Sequence, residues 1–152
     1  VDWAMDVFPA LLENDVPFYS HEIEAYWNDI GSITEYTQGN FDALAGAVEL
    51  AGHTKLAAGG IELTGYTRVA AGVHTAEGVD LGAVKVKPPV VIGEGAEIGA
   101  DADLHGPVVI GDGARIGAGA MLRDCVILPG TVLGEGAVVQ SGVVGTADRP
   151  LG

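Results

Sequence analysis

From Ile92 onward an aliphatic residue recurs every six positions: Ile92, Ile98, Leu104, Ile110, Ile116 and Leu122. A five-residue step reaches Ile127, six-residue steps reach Leu133 and Val139, and a second five-residue step reaches Val144. Two positions before each stands a small or slim residue: Val90, Ala96, Ala102, Val108, Ala114, Ala120, Cys125, Thr131, Ala137 and Gly142. Residues i and i−2 of a strand face the same side, so each unit reads as a short strand burying one slim and one large side chain. Glycine follows many of the aliphatic residues (Gly93, Gly99, Gly111, Gly117, Gly134), where a tight turn and positive φ are expected. Looser pairs at Val84/Val86, Val79/Leu81, Val73/Thr75 and Thr67/Val69 carry the pattern back to residue 67.

Three such units close a coil of about 18 residues, and coils stack through parallel ladders. The expected fold is therefore mainly β: a parallel β-helix over residues 67–146, followed by a tail, 147–152. Unrelated glycine-rich loops would not hold ten aliphatic positions in register. Gly93-Glu94-Gly95, Gly111-Asp112-Gly113, Gly117-Ala118-Gly119 and Gly134-Glu135-Gly136 look like phosphate loops. They lack the strand, full glycine fingerprint and long helix of a dinucleotide site, and read as corners of the coil.

With three units per coil, the residue before each aliphatic one points outward. One face then carries His74, Val91, Val109, Val126 and Val143; the second Asp80, Glu97, Arg115 and Val132; the third Lys85, Asp103, Met121 and Val138. Val91, Val109, Val126 and Val143, with Leu128 beside them, form an apolar stripe. Valine suits any strand position, but a continuous stripe also predicts a face covered by another subunit or a neighbouring domain. Outward residues become more apolar toward the C-terminus, where an open last coil invites strand pairing; self-association as a homo-oligomer is expected there. The third face also aligns Lys87, His105, Arg123 and Gln140, either a solvated column or an anion site.

Seven Lys and Arg against 21 Asp and Glu give a net charge of −14. Such a surface repels phosphate backbones and anionic lipid, which argues against nucleic acid and membrane as partners. No apolar run approaches the roughly 18 residues of a membrane span. The one cysteine, Cys125, permits no intrachain disulfide; it takes an inward position and reads as a packed, inert thiol in a reducing, cytoplasmic setting.

The first fifty residues follow another pattern. Asp6–Glu13 reads as a short helix with Pro9 in its first turn. Pro17–Trp27 is aromatic-rich, partly alternating, and reads as extended. Asn28-Asp29-Ile30-Gly31 is a turn. Ser32-Ile33-Thr34-Glu35 has the capping-box pattern, in which Ser32 accepts from the amide of Glu35 and Glu35 reaches back; a helix follows to about Ala45. Residues 47–66 read as a linker. Residues 1–46 are too few to bury a core alone, and with Val1 in place of Met they read as the end of a larger domain.

The run Asp6-Val7-Phe8-Pro9, then Tyr26-Trp27-Asn28-Asp29-Ile30-Gly31, then Glu35-Tyr36 and Asn40, resembles the end of the catalytic domain of sugar-phosphate nucleotidyltransferases, of the mannose-1-phosphate guanylyltransferase (GDP-mannose pyrophosphorylase) type. The resemblance implies a small α/β remnant of that domain over 1–46, then a β-helix that is left-handed. It implies a parent enzyme joining a nucleoside triphosphate to a sugar 1-phosphate with release of pyrophosphate. It further implies Mg²⁺ as cofactor, with Asp29 as a metal ligand. From its residues alone, Asp29 reads equally as a turn aspartate bonding local amides. The triphosphate-binding glycine-rich signature, the other metal carboxylate and the sugar-binding Glu-Lys segment are absent, so no catalytic set is complete and the chain alone is expected to be inactive. Two other functions fit the repeats: an acyl- or acetyltransferase with His74 or His105 as general base, and a purely structural assembly module. A three-histidine zinc site lacks its ligands, since His105 alone lies in the well-defined coils. His21 and His53 read as surface residues.

Overall fold

The computed structural model describes residues 1–48, 53–55 and 61–145, the backbone only for 53–55. A π-helical turn, Trp3–Val7, is capped by Asp2, whose Oδ1 accepts from the Met5 amide at 2.8 Å, and runs into α1, Phe8–Glu13, with Pro9 in the first turn. The expected extended segment, 17–27, is not a strand: no partner strand lies alongside among the described residues, so its backbone groups have no ladder to join. Helix α2, Ile33–Leu44, starts where the pattern predicts. Ser32 Oγ accepts from the Glu35 amide at 3.1 Å, which is the forward half of the capping box.

The segment read as a linker holds a small antiparallel pair, β1 (His53–Lys55) and β2 (Ile61–Leu63). Next come β3 (Tyr66–Ala70) and β4 (Val73–Ala76), also antiparallel, joined at Ala71-Gly72 with Gly72 at φ 70°. This corrects the expected start of the coil at residue 67. A two-residue reversal makes β3 a hairpin partner of β4, so parallel stacking begins at Val73.

From Val73 the chain winds as a β-solenoid of about four turns, comprising β5 (Lys85–Lys87), β6 (Val90–Ile92), β7 (Glu97–Ile98), β8 (Asp103–Ile110), β9 (Arg115–Ile116), β10 (Met121–Ile127), β11 (Val132–Leu133), β12 (Val138–Val139) and β13 (Gly142–Val144). Three parallel faces result. The first stacks Val73–Thr75, Val90–Ile92, Val108–Ile110, Cys125–Ile127 and Gly142–Val144. The second stacks Glu97–Ile98, Arg115–Ile116 and Val132–Leu133. The third stacks Lys85–Lys87, Asp103–His105, Met121–Arg123 and Val138–Val139. These are the faces and partners that the six-residue spacing predicts. The five-residue steps fall at the corner between the third and first faces. There Gly106-Pro107 in one coil is matched by Asp124 alone, at φ 49°, in the next.

The inward pairs form one core: Val90, Ile92, Ala102, Leu104, Val108, Ile110, Ala114, Ala120, Leu122, Cys125 and Ile127 are all but inaccessible to solvent. The glycines divide the work differently from the expectation. Those directly after the aliphatic residue do not have positive φ. They admit the next coil: a Cβ on Gly111 would lie 2.6 Å from Pro129 N, and one on Gly99 would run into the backbone of Ala118. Positive φ falls two residues later, at Gly95, Gly113, Gly119 and Gly136, and at Asp101 in the coil that lacks glycine there.

The valine stripe is largely covered within the chain. Val91 and Val126 are buried, and Val109, Leu128 and Val143 half-buried. Helix α2 lies against β8, β10 and β13, so the N-terminal residues pack on the solenoid. No described helix is long and apolar enough to cross a membrane.

Candidate functional site

Two places gather polar side chains: the turn before α2 and the third face of the solenoid. At the turn, Tyr26 donates from its hydroxyl to Asp42 Oδ2 at 2.8 Å, and Gln38 donates to Asp42 Oδ1 at 2.7 Å. Asn28 donates through Nδ2 to the Glu35 carbonyl at 3.3 Å and the Tyr26 hydroxyl at 3.4 Å. Gly39 leaves room for both: a Cβ there would lie 3.6 Å from Asn28 Nδ2 and 3.9 Å from the Tyr26 hydroxyl. The turn is thus fastened to α2, and α2 to the solenoid.

Asn28 Oδ1 accepts from the Ile30 amide at 2.9 Å. This is the side-chain-to-backbone bond that closes an Asx turn. The local role open to Asp29 is therefore taken by Asn28. Among the described residues the exposed carboxylate of Asp29 accepts no hydrogen bond. Ile30 sits at φ 48°, a conformation a β-branched residue rarely adopts and which persists only when its surroundings impose it. Gly31 separates two carboxylates: a Cβ there would lie 3.6 Å from Glu35 Oε2 and 3.7 Å from Asp29 Oδ1. Sequence reading picked out Asp29 but missed Asn28 and Asp42. An Asn two residues before a turn amide was the available signal for the first; the second is visible only once α2 is placed.

Mg²⁺ takes one or two carboxylates, keeps several waters and completes its shell with substrate phosphates. Asp29 suits one such position, being exposed and unbonded. No group of three His, Cys, Asp or Glu side chains that could hold a metal occurs among the described residues. Asp29 is at most one ligand of a site completed by other groups.

On the third face, parallel pairing sets Lys87, His105 and Arg123 in register. Arg123 Nη2 lies 2.9 Å from His105 Nδ1. A guanidinium only donates, so Nδ1 is the acceptor and the ring proton sits on Nε2. A shallow depression opens here, lined by Asp103, His105, Met121, Leu122, Arg123, Val138, Val139 and Gln140. Neither histidine suits the acyltransferase reading. His74 is 3% exposed, out of reach of a substrate, and His105 spends its acceptor nitrogen on Arg123. On the second face Glu97 and Arg115 pair at 3.6 Å, well exposed and of little energetic weight. Cys125 is fully buried, and burial pushes its thiol up to about 11, as the inert reading requires.

Residues 86–149 match the family described as GMPPB C-terminal domain. A mannose-1-phosphate guanylyltransferase of Mycobacterium tuberculosis is 33% identical over 105 residues, covering 66% of this chain and 25% of that protein. A glucose-1-phosphate adenylyltransferase of Halalkalibacterium halodurans is 35% identical over 43 residues, covering 28% of this chain and 11% of that protein. The chain thus matches a quarter or less of the length of these relatives. The stacked parallel coils, the family matched over most of them and the two relatives agree: the chain is similar to the C-terminal part of sugar-phosphate nucleotidyltransferases.

Proposed function

We propose that this chain serves a nucleotide-sugar pyrophosphorylase, which joins a nucleoside triphosphate to a mannose-type sugar 1-phosphate and releases pyrophosphate. In this reading residues 1–46 complete the catalytic domain and the solenoid assembles or regulates it. The observation that carries it is the turn Tyr26–Gly31: fastened by Asn28 and Tyr26 to α2, it presents Asp29 with no local bond to satisfy. In the parent enzyme Asp29 would ligate Mg²⁺, which offsets the charge between two anionic substrates and polarises the phosphoryl group. The remaining metal and substrate groups come from outside this chain.

Surface chemistry supports a missing neighbour. Trp3 and Trp27 are each 68% exposed, and Phe8, Phe18, Ile23, Ile30 and Ile33 are also exposed. Trp3 packs against Phe8 and Phe8 stacks on Phe18, and exposed apolar side chains so grouped suit an interface, here with the rest of the catalytic domain. Self-association through the last coils remains part of the proposal, since Val132 and Val138 stay exposed there. The lone buried thiol suits a cytoplasmic setting.

Two measurements test the reading. The purified 152-residue chain, given Mg²⁺, GTP and mannose 1-phosphate, should release no pyrophosphate; measurable GDP-sugar formation would refute the division of labour. The reading frame upstream of Val1 should encode a glycine-rich triphosphate-binding segment, and a different kind of domain there would overturn the class.

A further inference from the structure

We propose that the depression on the third face binds a phosphate monoester carrying an apolar group. This site is separate from the turn that holds Asp29, and the proposal does not depend on the parent enzyme's reaction.

The site is made by coil stacking. Adjacent strands lie about 4.8 Å apart, so residues at one register position in successive coils form a column of donors at that spacing. His105 and Arg123 occupy such a column, and Gln140 follows Val139 in the next coil. The contact between Arg123 Nη2 and His105 Nδ1 orients both groups. It fixes the ring proton on Nε2 and leaves the other guanidinium hydrogens unused. Among the described residues no carboxylate lies within ion-pair distance of Arg123. With one N–H spent on His105 Nδ1, the rest of the planar fork and the Gln140 amide remain to meet a tetrahedral oxyanion.

The second column supplies the other half. Met121 is 50% and Val138 53% exposed, and they stand beside Arg123 and Gln140. A ligand with phosphate on one column thus places its substituent on apolar side chains. Asp103, in register beside Met121 in that column, repels anions and confines the phosphate to the side of Arg123 and Gln140.

The test uses ¹⁵N-labelled chain titrated with phenyl phosphate and with inorganic phosphate at low ionic strength. Phenyl phosphate should give saturable shifts centred on residues 103–105, 121–123 and 138–140, with a lower Kd than inorganic phosphate. Arg123→Ala should weaken binding by at least about tenfold, as loss of a charge-assisted hydrogen bond implies. Arg123→Lys, keeping charge but losing the fork, should still weaken it. Asp103→Asn should tighten it several-fold, by about a factor of 3. Urea midpoints of the variants equal to wild type show that the fold is intact. Absence of saturable shifts, shifts centred elsewhere, or an Arg123→Ala variant that binds like wild type would overturn the proposal.

Discussion

Replacing Gly111 by alanine puts a methyl group where the next coil passes. The added Cβ would lie 2.6 Å from Pro129 N, 2.7 Å from Pro129 Cδ and 3.0 Å from the Ile127 carbonyl oxygen. Carbon atoms rest at about 3.5–4.0 Å, so the coils must part locally by about 1 Å. Two backbone bonds resist: Gly111 N to Ile127 O and Gly130 N to Asp112 O, both 2.8 Å. Overpacking of this kind costs about 1–3 kcal/mol, and losing one of those bonds adds about 1 kcal/mol. Gly134 occupies the same place in the repeat, but among the described residues nothing lies within 4 Å of a Cβ there, and its φ is not positive. Gly134→Ala should therefore be neutral or stabilising by about 0.4–1 kcal/mol, through reduced freedom of the unfolded chain. Urea unfolding followed by far-UV circular dichroism separates the two. At a slope of about 1–3 kcal/mol/M, Gly111→Ala should lower the midpoint by about 1 M or more, while Gly134→Ala leaves it level or slightly raised. Equal midpoints for the two variants would refute the view that the glycine after each aliphatic residue is there for coil contact.

Cys125 should resist Ellman's reagent at pH 8 until urea unfolds the chain. Because burial raises its folded value to about 11 from an ordinary 9.0, the stabilising contribution is full below about pH 9 and is lost as pH rises toward 11. Cys125→Ala should flatten stability over that window, and an unchanged pH profile would count against the burial. Val132 and Val138, exposed on the last coils, should mediate self-association: sedimentation velocity should show assembly of the wild type and a shift toward monomer in Val132→Asp/Val138→Asp. A wild type that sediments as a monomer at all concentrations would remove that surface from consideration.

The repeat was readable because a strand has period two and the coil period six: these numbers alone put Ile92, Ile110 and Ile127 in one column, and the five-residue steps at one corner. Capping chemistry was readable at Ser32 because it is local. Other features depended on what lies across space. Whether Thr67/Val69 joins a parallel coil or a hairpin depends on the reversal at Gly72, which outweighs a matching hydrophobic pair. Whether the glycine after an aliphatic residue serves φ or contact depends on the coil eighteen or seventeen residues on, and at Gly134 no described residue makes that contact.

The same holds for function. The sequence by itself determined a solenoid and its inward and outward residues, since these follow from spacing; Asp29 became a candidate through the resemblance of its motif. The tertiary structure decided that α2 lies over the valine-bearing face, that Asn28 takes the turn's backbone bond in place of Asp29, and that Arg123 orients His105. Each is a contact between residues whose proximity arises from packing, and burial or hydrogen-bond partners set by packing carry no signal in a linear pattern.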